Sequence, residues 1–363
     1  MGPAQGMRVV RTAKMIQSIM LELFHVVVFA YVDDFFWVAP DSDQNENLAE
    51  YILNVFKHVV TGLLGWELDS EKESVGDEML LLDIQVVLRS DATTWQFNPT
   101  KAEVWISEFQ KALNDDHLPP ALAAKFCGRI AFLNSTVFNR IGRALLRPLI
   151  WRQLQRFGQT TLTKRLRASL TWFIAVLKMN PRREIPYTPS PRHDRVILYS
   201  DADGSGGLAA VAIRRDTKIF MRGTVPRNLR KRLRRRKTNI VAFELTIAVA
   251  AMVSFCPEML MNVDVHHYVD SQPAISCILK GSSPQQDLSD IAGKLWFECC
   301  HRMIDYTVRY VPSKCNLADG PSRGDTALLL SLGFVEVPFN LPSFKHGLND
   351  WVKNAHEVGR LAV

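Results

Sequence analysis

Four acidic residues in the C-terminal half of the chain lie where carboxylates can take part in metal chemistry. Each follows a strand-like run or interrupts an apolar helix-like run, and the four are Asp201, Glu244, Asp270 and Asp319. Active sites of α/β folds lie at the ends of strands, so we expect these carboxylates to meet at one edge of a sheet. Mg²⁺ prefers oxygen ligands. Two such ions, with Mn²⁺ as an alternative, support phosphodiester hydrolysis by activating water and stabilising the leaving oxygen.

Each of these acids, taken alone, also has an ordinary structural explanation. Asp270 is a good N-cap for the helix-like run SQPAISCIL, and the neighbouring Asp203 is a typical turn residue before Gly204. Glu244 is harder to explain in this way, because an isolated acid in the run IVAFELTIAVAAM needs a partner or a ligand. The order strand, helix, strand and loop favours a shared functional site, and the participation of Asp203 stays open.

A second acidic signature lies upstream. The string Tyr31-Val32-Asp33-Asp34 stands between the β-rich runs HVVVFAYV and FFWVA, which predicts a hairpin with Asp33 and Asp34 at its turn. Paired carboxylates on such a turn are candidate metal ligands, and nucleotidyl transfer uses two metal ions in the same way as hydrolysis. The sequence therefore contains two separate candidate metal sites.

The formal net charge is +7, and the positive charge is concentrated in two segments. Residues 117–183 contain thirteen Lys and Arg without any Asp or Glu, and residues 214–237 contain twelve Lys and Arg against Asp216. Such clusters favour contact with nucleic-acid phosphates, although solvated basic faces or a nuclear-import signal have the same composition. The candidate binding residues are Arg140, Arg143, Arg147, Arg230, Lys231, Arg232, Arg234 and Arg235.

Periodicity and composition separate the chain into segments. Helical spacing extends from Leu118 to about Leu177, with Pro148 as a predicted break or kink. Residues 180–194 contain four prolines without periodicity, which predicts a linker. Strand and helix patterns then alternate up to residue 325, which predicts a mixed α/β domain, and residues 326–363 form a tail with one predicted helix near 347–358.

The six cysteines form no CxxC pair and have no His at zinc spacing. This usage indicates a reducing, intracellular compartment, cytoplasmic and/or nuclear, and argues against a metal–thiolate site. We expect no membrane partner, because the sequence contains no apolar run of the ~18 residues that span a bilayer. The oligomeric state is not predicted.

Residues 195–325 resemble the ribonuclease H domain of retroelement polyproteins, in particular of DIRS-like and related long-terminal-repeat elements. The resemblance rests on the strings YSDADGSGG, FELTIAVAA, YVDSQPAI and VPSKCNLADGPSR. It implies a Mg²⁺-dependent hydrolase that cleaves the RNA strand of RNA–DNA hybrids through the four acids. Many family members place a His shortly before the fourth acid, whereas this chain has Ser313 and Lys314 there.

The N-terminal half resembles the palm and thumb of reverse transcriptases. The string YVDD resembles the palm active-site turn, LLLDIQV the primer-grip strands, and KFCGRIAFLNSTVFNRIGRALLRPL the thumb helices. The family takes a further Asp from an earlier palm strand, but the residues before Tyr31 contain only the acid Glu22. The resemblance therefore implies an N-terminally truncated polymerase joined to an intact ribonuclease H domain.

The expected fold is a multidomain protein of the α/β and α+β classes. The predicted parts are a partial palm at 1–100, thumb or connection helices at 101–179, the linker at 180–194, the ribonuclease H-like domain at 195–325 and the tail at 326–363. Two alternatives stay open. One is an RNA-directed DNA polymerase whose missing palm strand is supplied from elsewhere, and the other is a non-catalytic nucleic-acid-binding remnant.

Overall fold

The computed structural model describes residues 3–31, 34–39, 48–138, 140–155, 160–187, 195–302 and 304–341. The chain divides into two compact units, Met1–Met79 and Leu80–Val363. It is a mixed α/β protein in which both antiparallel and parallel strand pairs occur. Among the described residues, no helix is both long enough and apolar enough to cross a membrane.

The first unit contains two helices and a short hairpin. Its elements are α1 (Pro3–Phe24), β1 (Phe29–Tyr31), β2 (Asp34–Phe36) and α2 (Leu48–Lys57), which continues into a π-helical turn at His58–Leu63. The strands β1 and β2 pair antiparallel with Tyr31 opposite Asp34, so the predicted hairpin is confirmed. Its core joins α1 to α2 through side chains such as Met20 and Phe56.

The first part of the second unit contains most of a four-stranded sheet, together with four helices. The strands are β3 (Glu78–Leu81), β4 (Ile84–Leu88), β5 (Ala92–Phe97) and β6 (Arg182–Pro186). The helices are α3 (Pro99–Asn114), α4 (Pro120–Thr136), α5 (Arg143–Gln153) and α6 (Lys164–Met179). The sheet has the strand order β3-β4-β5-β6, and an apolar core of helix residues packs around Trp172 and Phe126.

Two local expectations for this region need correction. Of the predicted break or kink at Pro148, the break is wrong, because α5 continues through this residue and buries the proline ring. The predicted linker at 180–194 begins with a strand, since β6 pairs antiparallel with β5 over the register Ala92↔Pro186 to Gln96↔Arg182. Backbone hydrogen bonds to a neighbouring strand make this stretch regular despite its lack of period, and residues 188–194 lie outside the described part of the chain.

The rest of the second unit is a six-stranded mixed sheet with helices. In chain order its elements are β7 (Arg195–Ala202), β8 (Gly207–Arg214), β9 (Thr217–Thr224), α7 (Arg227–Arg230), α8 (Ile240–Ser254), α9 (Pro257–Leu260), β10 (Asp264–Val269), α10 (Gln272–Lys280), α11 (Gln286–His301), β11 (Asp305–Tyr310), α12 (Asp319–Ser322), α13 (Ala327–Ser331) and β12 (Val335–Glu336). The strand order is β11-β10-β7-β8-β9-β12. The strands β7, β8 and β9 form an antiparallel meander, whereas β10 and β11 continue the sheet in parallel with β7.

The helix α8 lies at the centre of this core. It is apolar on all sides, a pattern typical of a fully buried helix, and its residues from Ala242 to Met252 are buried. It packs against α11 and against the face of the sheet that carries Val196 and Leu198. Because the helix is held on every side, the acid that it carries is fixed relative to the strand ends.

The segment after β11 covers the opposite face of the sheet. Leu329 and Phe334 pack on Val211 and Phe220, and the short strand β12 pairs in parallel with β9. The sequence predicted a tail from residue 326 with a helix near 347–358. The structure has α13 and β12 in the first part of this tail, and the predicted helix lies outside the described residues, which end at 341.

Candidate functional site

Strand register brings two of the predicted acids together. The parallel strands β7 and β10 pair with Tyr199 opposite Tyr268, so continuing the register by two residues puts Asp201 level with Asp270. The tyrosine rings stack with their centroids 5.2 Å apart. Side chains two residues apart on a strand share a face. The two carboxylates are therefore neighbours at the carboxyl ends of adjacent strands.

The third acid comes from the buried helix. Asp201, Glu244 and Asp270 each offer a carboxylate oxygen, and these oxygens all lie within 4.8 Å of one another. Asp201 and Glu244 are 4% and 3% exposed, while Asp270 is half-buried. Among the described residues, this is the one group of three or more His, Cys, Asp or Glu side chains gathered closely enough to hold a metal ion.

Burial and mutual repulsion make the three carboxylates hard to ionise together. Burial raises the pKa of Glu244 to about 9, and the charges of Asp201 and Asp270 add to the effect. The pKa of Asp201 rises to about 6, mainly through burial and partly through Asp270 and Asp319, against an opposing hydrogen bond from Ser322. Like charges at this separation disfavour one another unless a cation lies between them.

The donor set fits a hard divalent cation. The Ala202 backbone N–H donates to Glu244 Oε1 at 3.3 Å, while Glu244 Oε2 is buried without a hydrogen-bond partner among the described residues. A buried carboxylate oxygen without a donor carries a large desolvation penalty. A cation bound by all three carboxylates would remove both this penalty and their mutual repulsion.

Asp319 lies outside this group of three. Its Oδ1 accepts from Arg323 Nη2 at 2.7 Å, and the pair follows the i,i+4 spacing of the short helix α12. Its backbone is nevertheless tied to the cluster, because the Ser322 hydroxyl donates to Asp201 and lies 2.8 Å from the Asp319 carbonyl oxygen. Asn316 adds a second tie, donating from Nδ2 to the Ser200 carbonyl at 3.0 Å.

Asp203 has a structural role in the turn between β7 and β8. Its Oδ1 accepts from the backbone N–H groups of Gly206 at 2.6 Å and Gly207 at 2.7 Å, and the Ser205 hydroxyl also donates to it. Burial alone would raise the pKa of Asp203, but these hydrogen bonds outweigh burial and lower it. The turn explanation therefore accounts for Asp203 without a place in the metal cluster.

The basic run before α8 is partly structural and partly exposed. Arg230 donates to the Ser205 and Val225 carbonyls and lies over the Phe243 ring at 5.5 Å, next to Glu244 in the chain. All five predicted binding residues of this run are exposed, and besides Arg230 they are Lys231, Arg232, Arg234 and Arg235. The run is anchored by Arg236, which pairs with Asp287 at the start of α11. Its exposed cations are thus presented close to the first turns of the glutamate helix.

The three arginines predicted on a thumb-like helix do not form one exposed face. Arg140 lies in the turn before α5, half-buried, with its guanidinium 4.7 Å from the Trp296 ring centroid on α11. Burial and the charge of Arg143 lower its pKa. Arg143 lies within 3.4 Å of the Lys280 carbonyl, and Arg147 is half-buried. Helical spacing suggested a row of solvent-facing arginines. In the structure, Arg140 instead packs on α11 and Arg143 contacts the end of α10.

The upstream acidic pair is only partly described. Asp33 lies outside the described residues, and Asp34 is exposed at the start of β2. Its neighbour across the hairpin is Tyr31. Within the described part of the chain, Asp34 belongs to no group of candidate metal ligands.

Sequence reasoning did not assign roles to Ser322 or Asn316. Both are buried polar residues whose side chains fix the segment that carries Asp319 to the end of β7. The available signal was their position next to an acid in NLADGPSR, where a hydroxyl or amide near a carboxylate is a plausible hydrogen-bond partner. Their target, on a strand more than a hundred residues earlier, could not be read from that string.

Comparison with known proteins gives a limited result. No protein-family model matches the chain, and no curated protein matches it. Among solved structures, it is similar to ribonuclease H1 from the halophilic archaeon Halobacterium salinarum NRC-1, with 13% sequence identity and a TM-score of 0.27. The match covers 37% of this chain and 92% of that chain.

Proposed function

We propose that this protein is a divalent-metal-dependent nuclease that hydrolyses the RNA strand of RNA–DNA hybrids. The observation that carries the proposal is the cluster of Asp201, Glu244 and Asp270, whose carboxylate oxygens lie within 4.8 Å of one another at the end of two parallel strands. Two buried carboxylates and a third, half-buried one destabilise a fold when no cation matches them, and such groups are concentrated at functional sites.

The residues of the site would have two roles, metal binding and the orientation of the metal ligands. The three carboxylates would hold Mg²⁺ or Mn²⁺, and the bound ions would supply the activation of water and the stabilisation of charge on the phosphate and the leaving oxygen. Ser322 orients the Asp201 carboxylate, and the Ala202 N–H orients Glu244. The apolar surroundings of α8 keep solvent away from one side of the cluster, which strengthens electrostatic interactions there.

The substrate class follows from charge and from the resemblance of residues 195–325 to ribonuclease H domains. The exposed cations at 231–235 would contact the phosphate backbone without reading sequence. A hybrid is then selected by its helical shape and by the 2′-hydroxyl groups of the RNA strand. This resemblance, together with that of the N-terminal half to reverse transcriptases, leads us to propose a retroelement origin, with the preceding helices and the β1–β2 hairpin derived from a reverse transcriptase.

A cleavage assay tests the proposal. The purified chain is incubated with a labelled RNA–DNA hybrid, single-stranded RNA or double-stranded DNA, with Mg²⁺ or with EDTA. We expect Mg²⁺-dependent cleavage of the hybrid RNA strand, abolished by Asp270→Asn and retained by Asp216→Asn, which makes the same change in the β8–β9 turn. Wild-type cleavage by Asp270→Asn would refute the proposal.

A primer-extension assay on the same preparation addresses the polymerase alternative. Extension that survives Asp270→Asn but is lost in Asp34→Asn would assign polymerase activity to the β1–β2 hairpin. Hybrid binding without either activity would instead favour the non-catalytic remnant.

A further inference from the structure

One face of the six-stranded sheet is accessible to solvent along β7, β10 and β11. Successive side chains of a strand lie on opposite faces, and on these strands one set is buried in the core around α8, as Leu198, Val265 and Val308 are. The alternate set is half-buried or exposed. This second set, which we call the tyrosine face, includes Ile197, Tyr199, His266, Tyr268, Thr307 and Arg309.

Two tyrosines of this face lie next to the carboxylate cluster. Tyr199 precedes Asp201 by two residues on β7, and Tyr268 precedes Asp270 by two residues. Each ring therefore lies about 7 Å along its strand from an acid of the cluster. The two rings stack on each other with their centroids 5.2 Å apart and their planes at 22°. An aromatic pair thus adjoins the proposed metal site on an accessible face of the sheet.

The second face of the Tyr268 ring is turned toward a cation. The strand β10 lies between β7 and β11, and Tyr268 is in register with Tyr199 on one side and with Arg309 on the other. Because one face of the Tyr268 ring contacts Tyr199, its other face points toward Arg309. Arg309 is exposed, and no hydrogen bond or ion pair occupies it among the described residues.

A second exposed cation lies in the turn that follows β11. This turn, Ser313–Cys315, contains Lys314, which is also exposed. The turn is held beside β7, because the next residue, Asn316, donates from Nδ2 to the Ser200 carbonyl at 3.0 Å. Two accessible cations therefore border the tyrosine pair, and a polyanion that reaches the carboxylates would meet them.

We propose that the tyrosine face binds unpaired nucleotides that adjoin the hybrid, with a base stacked on Tyr268 and a phosphate on Arg309. The inference rests on the proposed function, because it places a further part of the same substrate beside the carboxylates. The bases of a duplex stack on one another, whereas an unpaired base has a free face for an aromatic side chain. The planar guanidinium of Arg309 has donors that match a phosphate.

The competing explanation is that the two tyrosines only stabilise the sheet, as cross-strand aromatic pairs do. Fluorescence anisotropy in EDTA, with the full chain, separates the two explanations without cleavage. The ligands are a blunt RNA–DNA hybrid and the same hybrid with an RNA extension of about six nucleotides at its 5′ or its 3′ end. The wild type should bind one extended hybrid about tenfold more tightly than the blunt hybrid, the effect of stacking one base.

Substitutions at Tyr268 then test the ring itself. Tyr268→Ala should remove the gain from the extension and leave the affinity for the blunt hybrid unchanged. Tyr268→Phe should keep the gain, because it keeps the ring. Tyr310→Ala is the matched control, since Tyr310 is 52% exposed at the end of β11 and lies on the opposite face from its neighbour Arg309. This control should leave both affinities unchanged.

The salt dependence of binding tests the phosphate contact. Arg309→Ala should lower the slope of log affinity against log salt by about 0.7 for the extended hybrid, as expected for one lost contact to a single strand. Arg182→Ala, which removes an exposed arginine from a pair with Glu184 on β6, should leave the slope unchanged. Because Arg309 is exposed, this variant decides the question even where Tyr268→Ala fails to fold.

Equal affinity of the wild type for the blunt and the extended hybrids would overturn the inference. So would a Tyr268→Ala variant that unfolds at lower urea but keeps the full gain from the extension, because the tyrosine pair would then only stabilise the sheet. Failure of the wild-type chain to cleave any hybrid in Mg²⁺ would overturn the proposed function instead. The anisotropy comparison would still show whether the tyrosine face binds unpaired nucleotides.

Discussion

Glu244→Gln should stabilise the metal-free protein while removing its activity. The Glu244 side chain is buried in α8, and burial, with the charges of Asp201 and Asp270, raises its pKa from the ordinary value of 4.5 to about 9. The folded protein therefore keeps this proton over a pH range in which the unfolded chain has released it. By linkage, the contribution of Glu244 to stability is greatest below pH 4.5 and is lost as the pH rises toward 9.

The size of the effect follows from the same values. Each pH unit over which the folded state alone keeps the proton corresponds to about 1.4 kcal/mol. Between the unfolded pKa of 4.5 and pH 7, the wild type loses about 3 kcal/mol of folding free energy from this one group. Glutamine has nearly the same shape and no charge to lose, so the variant should avoid this loss. Its gain over wild type should grow from pH 5 to pH 8.

Urea unfolding in EDTA, followed at several pH values between 5 and 8.5, measures this difference. Glu103→Gln, the same change at an exposed position of α3, controls for the removal of one negative charge. Added Mg²⁺ should stabilise the wild type, because it binds the folded state, and should stabilise Glu244→Gln much less. If wild type and Glu244→Gln instead show parallel pH curves, with no gain in stability at pH 8, burial does not raise the pKa of Glu244 in the folded protein.

Three further predictions concern the supports of the site. Gly207→Ala should lower kcat for hybrid cleavage on the order of 10²-fold, because its Cβ would lie 2.1 Å from the Ser322 carbonyl oxygen and displace α12. Unfolding curves distinguish this local displacement from a general loss of stability. Burial lowers the pKa of His267 to about 3, so the wild type should lose about 2 kcal/mol relative to His267→Gln as the pH falls from 6.5 to 5. Asp287→Ala should destabilise the fold by about 3 kcal/mol through the loss of its pair with Arg236, and a double-mutant cycle measured by urea unfolding checks the coupling.

Much of the α/β region could be predicted because its elements have strong local patterns. The predicted alternation of strands and helices is confirmed by the elements from β7 to β11, and the apolar run IVAFELTIAVAAM around Glu244 lies entirely within α8. A run that is apolar on all sides can only be stable when buried, which is why one acid within it was a good sign of a site. The juxtaposition of Asp201 and Asp270 then followed from two strands that end at the same edge.

Other features depend on contacts that no local pattern encodes. The strand β12 has two residues and therefore no period, and it forms where Leu329 and Phe334 pack on the sheet. Arg140 was predicted to lie on a helix with the other arginines, but α5 begins only at Arg143. The guanidinium of Arg140 instead covers the ring of Trp296, which is distant in the sequence. Tertiary packing decided these cases, as it commonly does when local preferences are weak.

The acids of the site are fixed by restraints of different strength, and this bears on what each can do. Asp201 lies in β7 and Asp270 directly follows β10, and a one-residue slip of either strand would turn its side chains to the other face of the sheet. Glu244 is set by a helix that is packed on every side. Asp319 lies on a single helical turn that is held by side-chain hydrogen bonds from Asn316 and Ser322. Rigid elements hold metal ligands with the accuracy that catalysis needs. The three-carboxylate cluster lies on two strand ends and a packed helix, which agrees with this requirement.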